Sequence, residues 1–95
     1  MQIFKQEQDG TLTFTLEGRL DRTTAPELEQ ALNMPLEELV LDFEKVEYIS
    51  SAGLRVLLAA QRRLTGGRRV VIRNANEFVR DVFAVTGFMD ILDVQ

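Results

Sequence analysis

Neither cysteine nor histidine occurs among the 95 residues. Their absence removes disulfide frameworks, thiol nucleophiles, zinc-finger spacings and histidine acid–base chemistry together. Proline is scarce, at two residues, and 45% of the chain is hydrophobic against 27% charged, which argues for a folded domain over a disordered one. The apolar runs fall well short of the roughly 20 residues that a membrane-spanning helix requires. The start, Met1-Gln2-Ile3-Phe4-Lys5, lacks the basic-then-apolar layout of an export signal, so a cytoplasmic location without membrane insertion is expected.

Acidic residues are missing from one long stretch. Between Tyr48 and Asn76 there is no Asp or Glu, while Arg55, Arg62, Arg63, Arg68, Arg69 and Arg73 all fall there. The net charge is nevertheless −4, so no global field draws nucleic acid. The stretch also has no aromatic residue after Tyr48 on which a base could stack. The basic run reads either as a solvated face or as a docking surface for an acidic partner, and no direct nucleic-acid contact is expected.

What is present has the length of one domain, residues 1–95, and a clear alternation of elements. Ile3–Gln8 reads as an edge strand and Asp9-Gly10 as a hairpin turn. Thr11–Glu17 alternates, with Leu12, Phe14 and Leu16 on one face and threonines on the other. Gly18–Thr23 reads as a loop. A helix capped by Thr23 or Thr24 then runs to about Asn33, with Pro26 in its first turn. Glu38–Phe43 reads as a strand, its Leu39-Val40-Leu41 suited to cover on both faces, and Asp42–Tyr48 as a connection.

Ala52–Leu64 is a strong helix, with Leu54, Leu57, Leu58, Ala59, Ala60 and Leu64 expected inward and Arg55, Arg62 and Arg63 outward. It is stopped by Gly66-Gly67. Arg69–Ile72 reads as a strand, and Glu77–Val85 as a helix capped by Asn74 or Asn76, with Phe78, Val82, Phe83 and Val85 expected inward. Ile91–Val94 reads as a last short strand. The expectation is an α/β domain of order β-β-α-β-α-β-α-β: an N-terminal hairpin followed by βαβ units, forming a mixed sheet with about three helices on one or both faces.

Chemistry concentrates at Ile49-Ser50-Ser51-Ala52-Gly53-Leu54-Arg55. Two hydroxyls stand where a connection becomes a helix, and small residues follow. One reading is a serine N-cap with Ala-Gly allowing close packing. The other starts from the same geometry: a helix start presents free N–H groups and positive dipole, so a phosphate there is tolerated by the fold and felt by whatever docks on it. A serine nucleophile is not supported, because there is no His to activate it and no Lys close by, and Asp21 and Asp42 are lone carboxylates. Thr65-Gly66-Gly67 follows a helix instead of opening one, so it is not a phosphate loop; no metal or cofactor is expected.

Three stretches resemble the STAS domain of bacterial anti-sigma-factor antagonists: Gly18–Leu28, with its Gly-Arg-Leu-Asp start; Leu39–Phe43 through Val46–Ile49; and Ser50-Ser51-Ala52-Gly53-Leu54. The match runs in order along nearly the whole chain. The resemblance implies a non-enzymatic partner-switching role. Such an antagonist binds an anti-sigma factor that is also a serine kinase, releases a sigma factor, is phosphorylated by that kinase, and is reset by a serine phosphatase.

Carried over by position, Ser51 is the phosphoacceptor, with Ser50 the alternative. The docking surface is made of Asp21, Thr23, Thr24, Ser50, Ser51, Gly53, Leu54 and Arg55. The sequence departs from the family pattern where Asp commonly precedes the acceptor and Ser50 stands here. A non-phosphorylated interaction subunit, for example of a lipid-transport ATPase complex, is the alternative within the same fold.

Overall fold

The computed structural model describes all 95 residues. Five strands and three α-helices follow one another as β1 (Gln2–Gln8), β2 (Thr11–Leu20), α1 (Ala25–Ala31), β3 (Glu38–Ile49), α2 (Ser51–Arg63), β4 (Val71–Arg73), α3 (Glu77–Thr86) and β5 (Asp93–Val94), with a 3-10 turn at Phe88–Asp90 before β5. The expected order is the observed one. The β1–β2 hairpin turns at Asp9 and Gly10, both at positive φ (53° and 85°), the backbone a two-residue hairpin demands.

The sheet is mixed and its spatial order is β1-β2-β3-β4-β5. β1 is antiparallel to β2, and β2 through β5 run parallel. Each parallel connection steps to the next strand in the same direction. Crossovers of the usual right hand therefore lay α1, α2 and α3 on one face. Burial follows that rule. Leu12, Phe14, Leu16, Leu39, Leu41 and Ile72 join the core cluster, as do Leu57 from α2 and Val79 and Phe83 from α3.

The opposite face carries Thr11, Thr13, Thr15 and Val40 and has no helix on it. The expectation that β3 is covered on both faces is thus corrected: Val40 is only 6% exposed, yet it stands outside the core cluster, flanked in register by Thr13 and Val71.

β3 is much longer than its alternation suggests. Asp42–Tyr48 is strand and not connection, and Gly18–Leu20 belongs to β2 and not to a loop. The register explains why. Thr15 pairs with Asp42 but Glu17 with Lys45, and Gly18 pairs with Val46 but Arg19 with Tyr48, so β3 gains an extra residue twice. Its buried residues then fall at Phe43, Val46 and Ile49, a spacing of three that hides a strand from a period-two reading.

Smaller shifts have local causes. The Val70 amide donates to the Gln61 side chain at 2.8 Å, so β4 begins only at Val71. α1 stops at Ala31, two residues short of the expected Asn33.

α3 shows a larger correction. Asn76 caps it, accepting from the Val79 amide at 2.8 Å while its own amide group donates to the Val46 carbonyl at 3.2 Å. Pinned to β3 in that way, α3 buries Val79 and Phe83. Phe78 and Val85, expected inward, are 48% and 84% exposed. On α2, Val56 is buried where Ala59 was expected to be.

The two neighbouring arginines of α2 also part company. The guanidinium of Arg63 donates to the carbonyls of Leu32 (2.7 Å) and Met34, just past the end of α1, where the Leu32 carbonyl also accepts from the Met34 amide at 2.9 Å. Arg62 makes no such bond. Arg63→Gln is therefore expected to cost about 1–2 kcal/mol of unfolding free energy and Arg62→Gln less than about 0.5 kcal/mol, both read from urea denaturation midpoints at constant slope.

Candidate functional site

The site forms where β2 and β3 end side by side and α2 begins. The amide of Ser50 donates to the carbonyl of Leu20 at 2.9 Å, tying the two strand ends together. Ser50 then turns from extended backbone (φ −107°, ψ 177°) into the helix, and its carbonyl accepts from the Leu54 amide at 3.0 Å. Gly53 makes the close approach feasible. A Cβ there would lie 2.7 Å from Cγ of Leu20, 2.9 Å from Cγ1 of Ile49 and 3.0 Å from the carbonyl oxygen of Leu20. Gly53 and Leu54, placed on the docking surface by the resemblance, are both buried, and they support the site from beneath.

The two serines have different fates. Ser50 is the N-cap residue by backbone, but its side chain makes no capping bond, and its Oγ is buried without a hydrogen-bond partner. Ser51, the first residue of α2, is exposed. By helix geometry the amides of Ser51, Ala52 and Gly53 have no intrahelical acceptor, and the first turn carries no acidic side chain. Arg55, also exposed, follows Ser51 by one helical turn.

The loop from Asp21 to Thr24 forms the other wall. Oδ1 of Asp21 accepts from the amides of Thr23 (3.0 Å) and Thr24 (3.1 Å). Thr23 or Thr24 was expected to cap α1; Thr24 is the N-cap residue, but its hydroxyl makes no capping bond and turns back, donating to the Arg19 carbonyl at 2.6 Å and accepting from the Asp21 amide at 2.9 Å. The Thr24 amide above all holds the Asp21 carboxyl below the usual carboxylate range, helped by the Thr23 amide, the Thr24 hydroxyl and the Arg19 guanidinium at 3.7 Å, against an opposing desolvation. Thr23 is exposed; Asp21 and Thr24 are half-buried. The structure thus brings Asp21, Thr23, Thr24, Ser51 and Arg55 to one end of the sheet.

Two features there escape a reading of the sequence. Arg22 and Arg55 line a groove of about 370 Å³ between the starts of α1 and α2, together with Ala25, Pro26, Glu29, Ala52 and Val56. Neither arginine has a carboxylate within ion-pair distance. On the other side of the strand ends, the Arg19 guanidinium lies 4.2 Å above the ring of Tyr48, and Phe78 stacks on that ring at 5.5 Å. The adjacency of Arg19 and Tyr48 follows from the shifted β2–β3 register, which no local pattern announces.

Comparison with known proteins agrees with this architecture. The family model described as Mlab, STAS domain, matches residues 3–93. BtrV of Bordetella bronchiseptica, a candidate anti-sigma factor antagonist, is 36% identical over 100 aligned residues, covering 99% of this chain and 85% of that protein. The crystal structure of an anti-sigma factor antagonist from Mycobacterium paratuberculosis superposes with a TM-score of 0.83 at 26% identity, covering 98% of this chain and 83% of that one. The Bacillus cell fate determinant SpoIIAA in its phosphorylated form shares the fold, with a TM-score of 0.73 at 18% identity over 99% of this chain and 91% of that one.

Two outcomes follow from the geometry. Gly53→Ala gains helix propensity but forces a Cβ against the Leu20 carbonyl; a net loss of about 1–2 kcal/mol is expected, with faster hydrogen exchange at the Ser50 amide. Because the folded-state pKa of Asp21 is depressed, its contribution is fully present above the ordinary carboxylate pKa of about 4 and is lost as pH falls through the lower folded value. Asp21→Asn is expected to lose less stability than the parent between about pH 5 and pH 2, measured as urea midpoints across that range.

Proposed function

This chain belongs to the STAS domain family, and from that premise we propose that it is an anti-sigma factor antagonist controlled by phosphorylation of Ser51. Its partner is an anti-sigma factor with serine-kinase activity, which it binds unmodified and thereby separates from a sigma factor. The observation that carries the choice of residue is the contrast between the two hydroxyls: Ser51 is exposed at the first position of α2, while Oγ of Ser50 is buried. A kinase can reach the first without unfolding the domain.

The exposed surface around Ser51 suits a docking face on chemical grounds. It combines polar loop side chains at Asp21, Thr23 and Thr24 with unpaired cationic charge at Arg55, and rigid supports lie beneath it. In the modification step the γ-phosphoryl group of ATP passes to Oγ of Ser51. The new O–P bond forms as the bond to the β-phosphate oxygen breaks, ADP leaves, and the hydroxyl proton goes to a base of the kinase. The product carries about −1.5 to −2 charges at neutral pH. At a helix start that charge is compatible with the fold, whereas against a partner surface matched to the neutral serine it adds repulsion and desolvation. A serine phosphatase restores the binding form.

A second reading, an interaction subunit that is never phosphorylated, is favoured by Ser50 standing where the family pattern has Asp. One experiment separates the two. The purified chain is mixed with a serine-kinase anti-sigma factor from the same genome and with ATP, and the phosphosite is mapped by mass spectrometry. Ser51→Ala is expected to keep partner binding and take no phosphate, and Ser51→Asp to bind at least about tenfold more weakly. Full-rate phosphorylation of Ser51→Ala would sink the assignment, and absence of any transfer to the parent would favour the unmodified subunit.

A further inference from the structure

We propose that Arg55 and Arg22 form a built-in receptor for the phosphate on Ser51, so that the modified site folds its new charge into the groove between α1 and α2. The inference rests on Ser51 being the acceptor and adds what the modified residue does.

Helix geometry supports reach on the α2 side. Arg55 follows Ser51 by four residues, about 6 Å along the axis. Side chains on a helix lean toward its N-terminus, which directs Arg55 toward the first turn of α2, and Arg55 shares its groove with Ala52, the neighbour of Ser51. Arg22 approaches from the other wall. It lies two residues beyond Leu20, whose carbonyl is bonded to the Ser50 amide, and it lines the same groove as Arg55 and Ala52.

Charge supports the same occupant. Neither arginine is paired with a carboxylate, and the groove holds one acid, Glu29, against these two cations. The nearby carboxylate of Asp21 is already committed to the Thr23 and Thr24 amides and to Arg19. Two guanidinium forks beside a phosphomonoester dianion supply charge-assisted hydrogen bonds in the geometry that arginine makes best. The same two cations stand free in the unmodified protein. Phosphorylation then changes the surface twice over: it adds negative charge at Ser51 and withdraws positive charge from Arg22 and Arg55.

The test needs no kinase. The full chain is made with phosphoserine installed at position 51 during translation, and the second phosphate ionisation is followed by 31P NMR between about pH 4 and pH 8, where it normally falls near 6. A receptor stabilises the dianion, so this pKa is expected to lie below that of the same phosphoserine in the urea-unfolded chain. Arg55→Gln and Arg22→Gln are each expected to raise it by about 0.3, and the double variant by more than either. Arg69→Gln is the control, because Arg69 lines a different groove with Glu38 and Leu39 at the start of β3, the far end of the sheet; no shift is expected there.

If both glutamine variants stay within about 0.1 of the parent, the helix amides alone hold the phosphate and the receptor is refuted. A shift of equal size in Arg69→Gln would refute it as well, by reducing the effect to net charge. Because the phosphate is placed by translation, these outcomes are independent of whether a kinase selects Ser51.

Discussion

The amide of Ser50 meets the carbonyl of Leu20 at 2.9 Å, and directly above that bond Gly53 presents no side chain to Leu20 or Ile49. These two facts depend on each other. The hydrogen bond fixes the ends of β2 and β3 at one level, and the missing Cβ lets α2 start hard against them. Remove either and the helix start lifts away from the Asp21–Thr24 loop, so that the exposed serine, its arginine one turn later and the loop wall no longer share a surface. The site is therefore a property of a junction, set by backbone approach, and its buried members, Gly53 and Leu54, act through position.

Above that junction the electrostatics are arranged by exclusion. Two carboxylates near the site are engaged elsewhere, Asp21 with two backbone amides and Arg19 and Glu27 with the N-terminal ammonium at 4.0 Å, which leaves Glu29 as the one unpaired acid of the groove. The first turn of α2 carries no acid, and Arg22 and Arg55 are left without one. The groove at the helix start therefore holds two unpaired arginines against one acid, even though the whole molecule carries a net charge of −4. Such a place responds strongly to a single added dianion, because the change reverses the local sign, whereas the global charge of −4 only deepens and keeps its sign.

The helix-free face of the sheet and the helical face have different chemistry for a topological reason. With every parallel crossover stepping the same way, the core gathers on one side and the threonines of β2 are left on the other. The two extra residues in β3 twist that strand's end relative to β2 and bring Tyr48 beside Arg19, with Phe78 of α3 completing an exposed stack. That α3 turns Phe78 outward is decided at Asn76, whose side chain holds both the first turn of α3 and the carbonyl of Val46.

The sequence alone determined the order of elements, the Asp9-Gly10 turn, the alternating core face of β2 and the place where hydroxyls meet a helix start, because each rests on residues within a few positions of one another. The missing histidines and cysteines narrow the chemistry by composition alone, since a group that is absent from the chain cannot be supplied by any fold of it. Only the tertiary structure decided which of two adjacent serines faces outward, that Arg63 binds the end of α1 while Arg62 does not, that β3 runs on through Asp42–Tyr48, and that Arg22 and Arg55 share a groove. Those outcomes turn on contacts across the sheet register and between α1 and α2, at separations such as the 31 residues between Leu32 and Arg63. A periodicity of two or 3.6 carries no information at that separation, and a bulge that shifts the register erases even the local signal.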